Sequence, residues 1–326
     1  MTALSLPQVT LCCVDCTPRL PWALKAMQQC LQKVAFGDAV LITDRGSLQG
    51  HSLPEGVRWV EIDALRSIEA YSEFMIKRLA DPIRTSHVLI VQWDGYVLDA
   101  AAWRDEFLDV DYIGAPWHHI PGPWSVGNGG FSLRSVRLLK ALQDPAVTPA
   151  HPEDICICCT HRARLEAGGI RFAPVDLARR FAVEDDALTP VVFGFHGLYH
   201  LPALLDPTET LAFVESLAPS ALQAHYFGSL LRELKRGAWS RPALRPAWAA
   251  FQRLIDQAID ALHGPAALTP QALGICKALI RENQFAAAER LLRARRAASG
   301  EPGSEPRLWW RLKLKALASR LTGRGV

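Results

Sequence analysis

The run Val9–Val14 is continuously apolar and stops at Asp15, the pattern of a strand buried on both faces of a parallel sheet. From Pro21 to Val34 the apolar residues Trp22, Leu24, Met27, Leu31 and Val34 recur at helical spacing, and Phe36-Gly37-Asp38 ends that segment. Ala39–Thr43 followed by Asp44, Val57–Ile62 followed by Asp63, a helix over about Ser67–Ala80 and the apolar run His87–Val91 complete the first part. Strands alternating with helices predict βαβ units, a mostly parallel sheet and right-handed crossovers. After Asp94 the character changes: Tyr112–Ala115 and Arg171–Pro174 read as short strands, Trp124–Leu133 as a Gly-rich strand or hairpin, and Pro152–Ala167 as a helix. The expected fold class is α/β, a mixed and mostly parallel sheet flanked by helices, over residues 1–204.

From about Asp206 the pattern turns helical, with Pro219, Pro242, Pro246, Pro265 and Pro270 between segments such as Trp248–Leu262 and Pro270–Ile280. Leu273–Ala294 reads as one helical hairpin of the tetratricopeptide sort, and a single unit is no repeat array. Residues 205–326 are therefore expected to form a smaller all-α region. It ends in the basic segment Arg307–Arg324, where Trp310, Leu314, Leu317 and Leu321 stand at helical spacing. That stripe suits either an anionic membrane surface or docking on the protein's own helices.

Composition narrows the classes. The chain has 326 residues, is 49% hydrophobic and carries a formal charge of +3, enough to bury a large core and too little to suggest a nucleic-acid surface. Met1–Gln8 does not read as a signal peptide, and no uncharged apolar run reaches membrane-span length. The cysteines cluster within single elements (Cys12, Cys13, Cys16; Cys156, Cys158, Cys159), which predicts buried free thiols in a reducing compartment. A cytoplasmic location, or one at the inner face of the membrane, is expected.

Neither a phosphate-binding P-loop nor a dinucleotide turn is present, which weakens ATPase and dehydrogenase readings. Four segments carry candidate chemistry. Several strands end in an acid (Asp15, Asp44, Asp63, Asp94), a row that lies along the carboxyl-end cleft of an open sheet or merely solvates loops. Within it, Gln92-Trp93-Asp94-Gly95 sets a carboxylate and an amide at a rigid strand end, the kind of oxygen donor a divalent ion needs. Gly127-Asn128-Gly129-Gly130 weakens a strand unless something approaches the backbone closely: a sugar ring, a diphosphate, or the geometry of a bulge. Pro152-Glu153-Asp154 opens a helix, where dipole capping and a catalytic base would both place acids. His196 in Phe193-Gly194-Phe195-His196-Gly197 is either a metal-ligating or a packed imidazole.

The order of these segments resembles that of GT-A glycosyltransferases, in which a D-x-D-type motif is followed by a Gly-rich loop, an acidic motif at a helix start and a late His. More closely, Gln92-Trp93-Asp94-Gly95, Asp111–Trp117, Gly127–Arg134, Pro152-Glu153-Asp154 and Phe193–Gly197 together resemble a bacterial family of domains of unknown function, DUF5672, regarded as glycosyltransferases. The resemblance covers about Val9–Leu201. It implies a nucleotide-diphosphate-sugar donor bound by Asp15, Asp44, Gln92, Trp93, Asp94, Gly129 and Gly130. It implies a Mn²⁺ or Mg²⁺ ion on Asp94 and His196, and a base at Asp154 or, second, Glu153. The acceptor would be a glycan, a lipid-linked molecule or a protein, with no nucleic acid involved. Gln92 stands where the family pattern has an acid, so the site offers a divalent ion less negative charge. That departure keeps open an inactive sugar- or nucleotide-binding module; a nucleotidyltransferase would need a Gly-rich loop after the first strand, which Cys12–Arg19 lacks.

Overall fold

The computed structural model describes residues 4–120, 122–188, 191–219, 226–262, 264–299 and 306–321. The chain forms two compact units, Met1–Gly197 and Leu198–Val326. The first holds β1 (Leu4–Val14), α1 (Leu20–Leu31), β2 (Val34–Thr43), α2 (Arg45–Leu48), β3 (Arg58–Glu61), α3 (Ile68–Lys77) and β4 (His87–Val91). It continues with β5 (Tyr112–Gly114), β6 (Phe131–Ser135), α4 (Val136–Leu142), α5 (Glu153–Ile155), α6 (Arg162–Ala167), α7 (Val175–Phe181), β7 (Ala182–Val183) and β8 (Gly194–Phe195). The second holds α8 (Leu201–Leu204), α9 (Pro207–Glu215), α10 (Phe227–Ser240), α11 (Arg245–Asp260), α12 (Pro270–Arg281), α13 (Phe285–Ser299) and α14 (Pro306–Leu321).

Six strands make one sheet in the order β3-β2-β1-β4-β6-β5, with β6 antiparallel to both its neighbours and the other pairs parallel. β1 lies between β2 and β4, so Val9–Val14 is buried on both faces, which is why the sequence shows no alternation there. Cys12 and Val14 join Val40, Ile42, Val88 and Ile90 against Phe74 and Met75 of α3 and Leu139 of α4. Ser67 starts α3 by accepting a hydrogen bond from the Ala70 N–H, a cap that stabilises a helix by about 1 kcal/mol.

Three expected elements differ. Val34 ends the helical pattern in the sequence but begins β2, because Val34 pairs with Leu4 across a longer sheet edge than the apolar run at Ala39 suggests. Pro152–Ala167 is not one helix: α5 runs into a π turn at Cys156–Thr160, and α6 starts at Arg162. Arg171–Pro174 contributes one bridge, Phe172 to Tyr112, instead of a strand.

The turn from β4 and the strand β8 are joined by a bridge between Val97 and Gly194, and β7 pairs with β8 in a second small sheet. An aromatic cluster fixes that sheet: Phe181 lies 5.3 Å from Phe131 of β6, 5.2 Å from Phe107 and 5.8 Å from Phe193, measured between ring centroids. Such contacts each add about 0.5–1.5 kcal/mol beyond burial. They hold the ends of β7 and β8 beside the carboxyl end of β4.

Candidate functional site

β4 ends at Val91, and the chain turns back through Gln92–Gly95, the Gly95 N–H donating to the Gln92 carbonyl at 3.1 Å. A side chain at Gly95 would meet the Phe195 carbonyl 2.7 Å away, so glycine lets the end of β8 come up against this turn. The Gly197 N–H donates to the Asp94 carbonyl at 3.0 Å, and His196 comes to lie beside Asp94. Its Nε2 donates to Gln92 Oε1 at 3.2 Å and faces Asp94 Oδ1 at 3.4 Å, while Nδ1 donates to Glu184 Oε1 at 3.1 Å. Glu184 follows β7 as His196 follows β8, so a parallel pair of strands delivers them side by side. Asn128 Nδ2 lies 3.1 Å from the same Nδ1, and Gln92 Nε2 donates to the Tyr71 hydroxyl at 2.9 Å.

Burial alone would depress the His196 pKa, but the Asp94 carboxylate, aided by Glu184, outweighs it and holds the imidazole well above its ordinary value. Burial would also raise Glu184, and the hydrogen bond from His196 turns that into a net lowering. Asp15, 7% exposed at the end of β1, is raised by burial, in spite of its Thr17 hydrogen bonds, and the Asp94 charge adds to the rise. Carboxylates thus outnumber cations at this end of the sheet, which favours a bound cation.

Among the described residues, no group of three or more His, Cys, Asp or Glu side chains is arranged to hold a metal ion. What fits is narrower. Asp94 Oδ1 is buried with no hydrogen-bond partner, an oxygen of the type a hard cation takes. Both ring nitrogens of His196 lie against oxygen acceptors, so it would ligate an ion only through a nitrogen freed of its proton. Asp94 and His196 could therefore supply at most two of an ion's ligands.

The loop Gly127–Gly130 enters β6 against this cluster. A Cβ at Gly130 would sit 2.1 Å from His196 Nε2, one at Gly129 2.0 Å from Glu153 Oε1, and one at Gly127 1.8 Å from the Trp117 ring. The close visitors that require glycine are thus the protein's own Trp117, Glu153 and His196. Asn128 takes the left-handed conformation, φ 58°, and its Oδ1 accepts from the Phe131 N–H.

Behind the loop stands α5. Asp154 is half-buried; its Oδ2 accepts from the Gly129 N–H at 3.0 Å and its Oδ1 from the Ile155 N–H at 2.8 Å. Glu153 turns the other way into an ion pair with the fully buried Arg134, 3.1 Å from Nη2, beneath the Tyr112 ring. Burial and the adjacent Asp154 push the Glu153 pKa up, and the guanidinium pulls against them. Of the two acids, Asp154 is the one left facing solvent.

Residues 56–196 match the family described as Protein of unknown function (DUF5672). No curated protein matches the chain. The DUF5672 segment contains Gln92, Asp94, the Gly loop, Glu153, Asp154, Glu184 and His196; Asp15 and Asp44 lie before it and the whole helical unit after it.

Outside the segment, Asp15 comes beside Asp94, whereas Asp44 stands one strand further out, capping α2 through the Ser47 N–H. Trp93 is half-buried under the Arg19 guanidinium, 4.6 Å from the ring centroid. Arg19, Tyr71 and Glu184, joined to this site, escape sequence reading, and Asn128 and Arg134 stand in segments singled out there without a role of their own. Glu184 did carry a signal, an acid just past an apolar pair, but a strand of two residues is below what periodicity detects.

Proposed function

We propose that the first unit is a GT-A-type glycosyltransferase that moves a sugar from a nucleotide-diphosphate donor to an acceptor hydroxyl. The observation that carries the reading is the meeting of Asp94, His196 and the Gly129–Gly130 backbone where the strand order reverses between β1 and β4, with Asp154 on the far side of the loop. Open α/β sheets bind ligands at that crevice. Asp15 and the Trp93–Arg19 pair would receive the nucleoside, and the diphosphate would lie toward His196. A divalent ion held by Asp94, and by His196 once deprotonated, would neutralise the departing diphosphate. Asp154 takes the proton of the acceptor hydroxyl as its oxygen attacks the anomeric carbon; the bond from that carbon to the phosphate oxygen breaks, and the nucleoside diphosphate leaves with the electron pair. Direct displacement of this kind inverts the anomeric carbon and needs no nucleophile from the protein.

A second reading, an inactive sugar- or nucleotide-binding module, draws on one observation: the Gln92 amide is committed at both ends, to Tyr71 and to His196. Calorimetric titration with uridine, guanosine, adenosine and cytidine diphosphate sugars, with and without Mn²⁺, separates the two. Binding followed by release of the free nucleotide when a glycan acceptor is added supports transfer. Binding without release supports the module, and no binding to any donor refutes both.

Among the described residues no helix is long and apolar enough to cross a membrane. On α14 it is Leu312 that is buried, while Trp310 and Leu314 are 67% and 61% exposed, so of the two alternatives docking does not run through those two residues. The further stripe residues Leu317 and Leu321 lie outside the described side chains. Arg307, Arg311 and Lys313 surround the exposed pair, and we propose that this face rests on an anionic bilayer surface. The protein is then expected to co-sediment with phosphatidylserine-containing vesicles but not with neutral ones, and to be released as salt shortens the Debye length. Sedimentation that ignores lipid charge would remove this proposal.

A further inference from the structure

The helical unit carries a groove of about 790 Å³ between α10, α11 and the turn that joins α12 to α13, formed wholly by residues of this unit. Its volume is that of a cleft for a molecule of several rings. On one side Trp239 offers an indole that is 78% exposed; Trp248 and Phe285, half-buried, continue the aromatic wall.

The polar lining divides into two sets. Lys235 and Asp256 are engaged inside the protein, Lys235 donating to the Glu282 carbonyl at 2.6 Å and Asp256 accepting from Arg290 at 2.6 Å. The Gln252, Asn283 and Gln284 amides make no side-chain hydrogen bond with other described residues, and neither does the Trp239 indole N–H. What faces the groove unpaired is therefore three planar amides, the Arg245 guanidinium and an aromatic plate.

This lining excludes the commoner occupants. An apolar helix laid here would bury three amides without partners, at about 1–3 kcal/mol each. A nucleic acid or an acidic peptide needs several free cations, and the described lining holds two, Arg245 and a Lys235 already bonded to the Glu282 carbonyl, beside the Asp256 carboxylate. A pyranose matches both sets: its C–H face is apolar and flat enough to lie on an indole, and its hydroxyls each donate and accept, as a planar amide does.

We propose that this groove is an oligosaccharide-binding site, in which Trp239 stacks on a sugar ring and Gln252, Asn283 and Gln284 bond its hydroxyls. It is separate from the donor site proposed for the first unit and does not depend on that reading. The test uses the full chain with ¹⁵N-labelled indoles, the Trp239 signal being identified by its loss in Trp239→Ala. Maltohexaose, cellohexaose, chitohexaose and mannohexaose are titrated into the millimolar range, with hexaglutamate as the peptide comparison. The Trp239 signal is expected to shift saturably with at least one of the four, in wild type and in Asp154→Asn alike. Trp239→Ala and Gln252→Ala, both at exposed positions, are expected to weaken binding of that sugar roughly tenfold or more, measured by calorimetry, while Trp310→Ala leaves it unchanged. A Trp239 signal unmoved by all four sugars overturns the proposal, as does one moved by hexaglutamate alone, or sugar affinity that survives both groove substitutions.

Discussion

Asp94→Asn is expected to abolish divalent-ion-dependent binding of a nucleoside diphosphate, and transfer with it. The substitution keeps the volume of the side chain and removes its charge. Asp94 Oδ1 is a buried carboxylate oxygen with no hydrogen-bond partner, 3.4 Å from His196 Nε2. A neutral amide there loses an anionic ligand and the main charge that sustains the imidazolium. The affinity measured in Mn²⁺ is expected to fall about 100-fold, equivalent to about 2.7 kcal/mol. Stability should fall by only about 1 kcal/mol, because Glu184 and Gln92 still hold the ring. A folded Asp94→Asn protein with undiminished Mn²⁺-dependent binding would show that the ion sits elsewhere.

The adjacent acids Glu153 and Asp154 are expected to part company. Glu153→Gln strips the carboxylate from a fully buried guanidinium, and breaking a buried pair in this way destabilises a protein by about 3–5 kcal/mol. Its signature is a large drop in the denaturation midpoint. Asp154→Asn leaves that pair intact and keeps one oxygen for the Gly129 N–H at the loss of the bond from the Ile155 N–H, so the protein should lose only about 1 kcal/mol of stability. Turnover should instead fall by about 10² or more with donor affinity preserved, since an amide cannot take a proton. The reverse pattern, a stable but inactive Glu153→Gln beside an active Asp154→Asn, would transfer the base to Glu153.

The parallel half of the sheet is legible because its strands announce themselves. Val9–Val14 is apolar but for Thr10 and Val88–Val91 is apolar throughout, and an acid follows each run within three residues, at the carboxyl ends of the strands. The later half is less so. β7 and β8 are two residues long, and their position depends on Phe107, Phe131, Phe181 and Phe193, whose packing no local pattern reveals. The same limit hides Glu184 and Tyr71, which reach His196 and Gln92 respectively only through the fold. The pairing of Glu153 with Arg134 is likewise invisible, because an acid in the first turn of a helix reads equally well as a dipole cap.

The Gly127–Gly130 loop has a consequence for how this chain can vary. Each of three glycines is a socket for a side chain from outside the loop: Trp117 into Gly127, Glu153 into Gly129, His196 into Gly130. The vacancy and its occupant form one unit, so neither can be exchanged alone without collision or a void. In descendants of this sequence, enlargement at position 130 should be found only where 196 has shrunk, and the same trade should link 129 with 153 and 127 with 117. The record of such linked exchanges would map the walls of this pocket across lineages even where every individual residue has drifted.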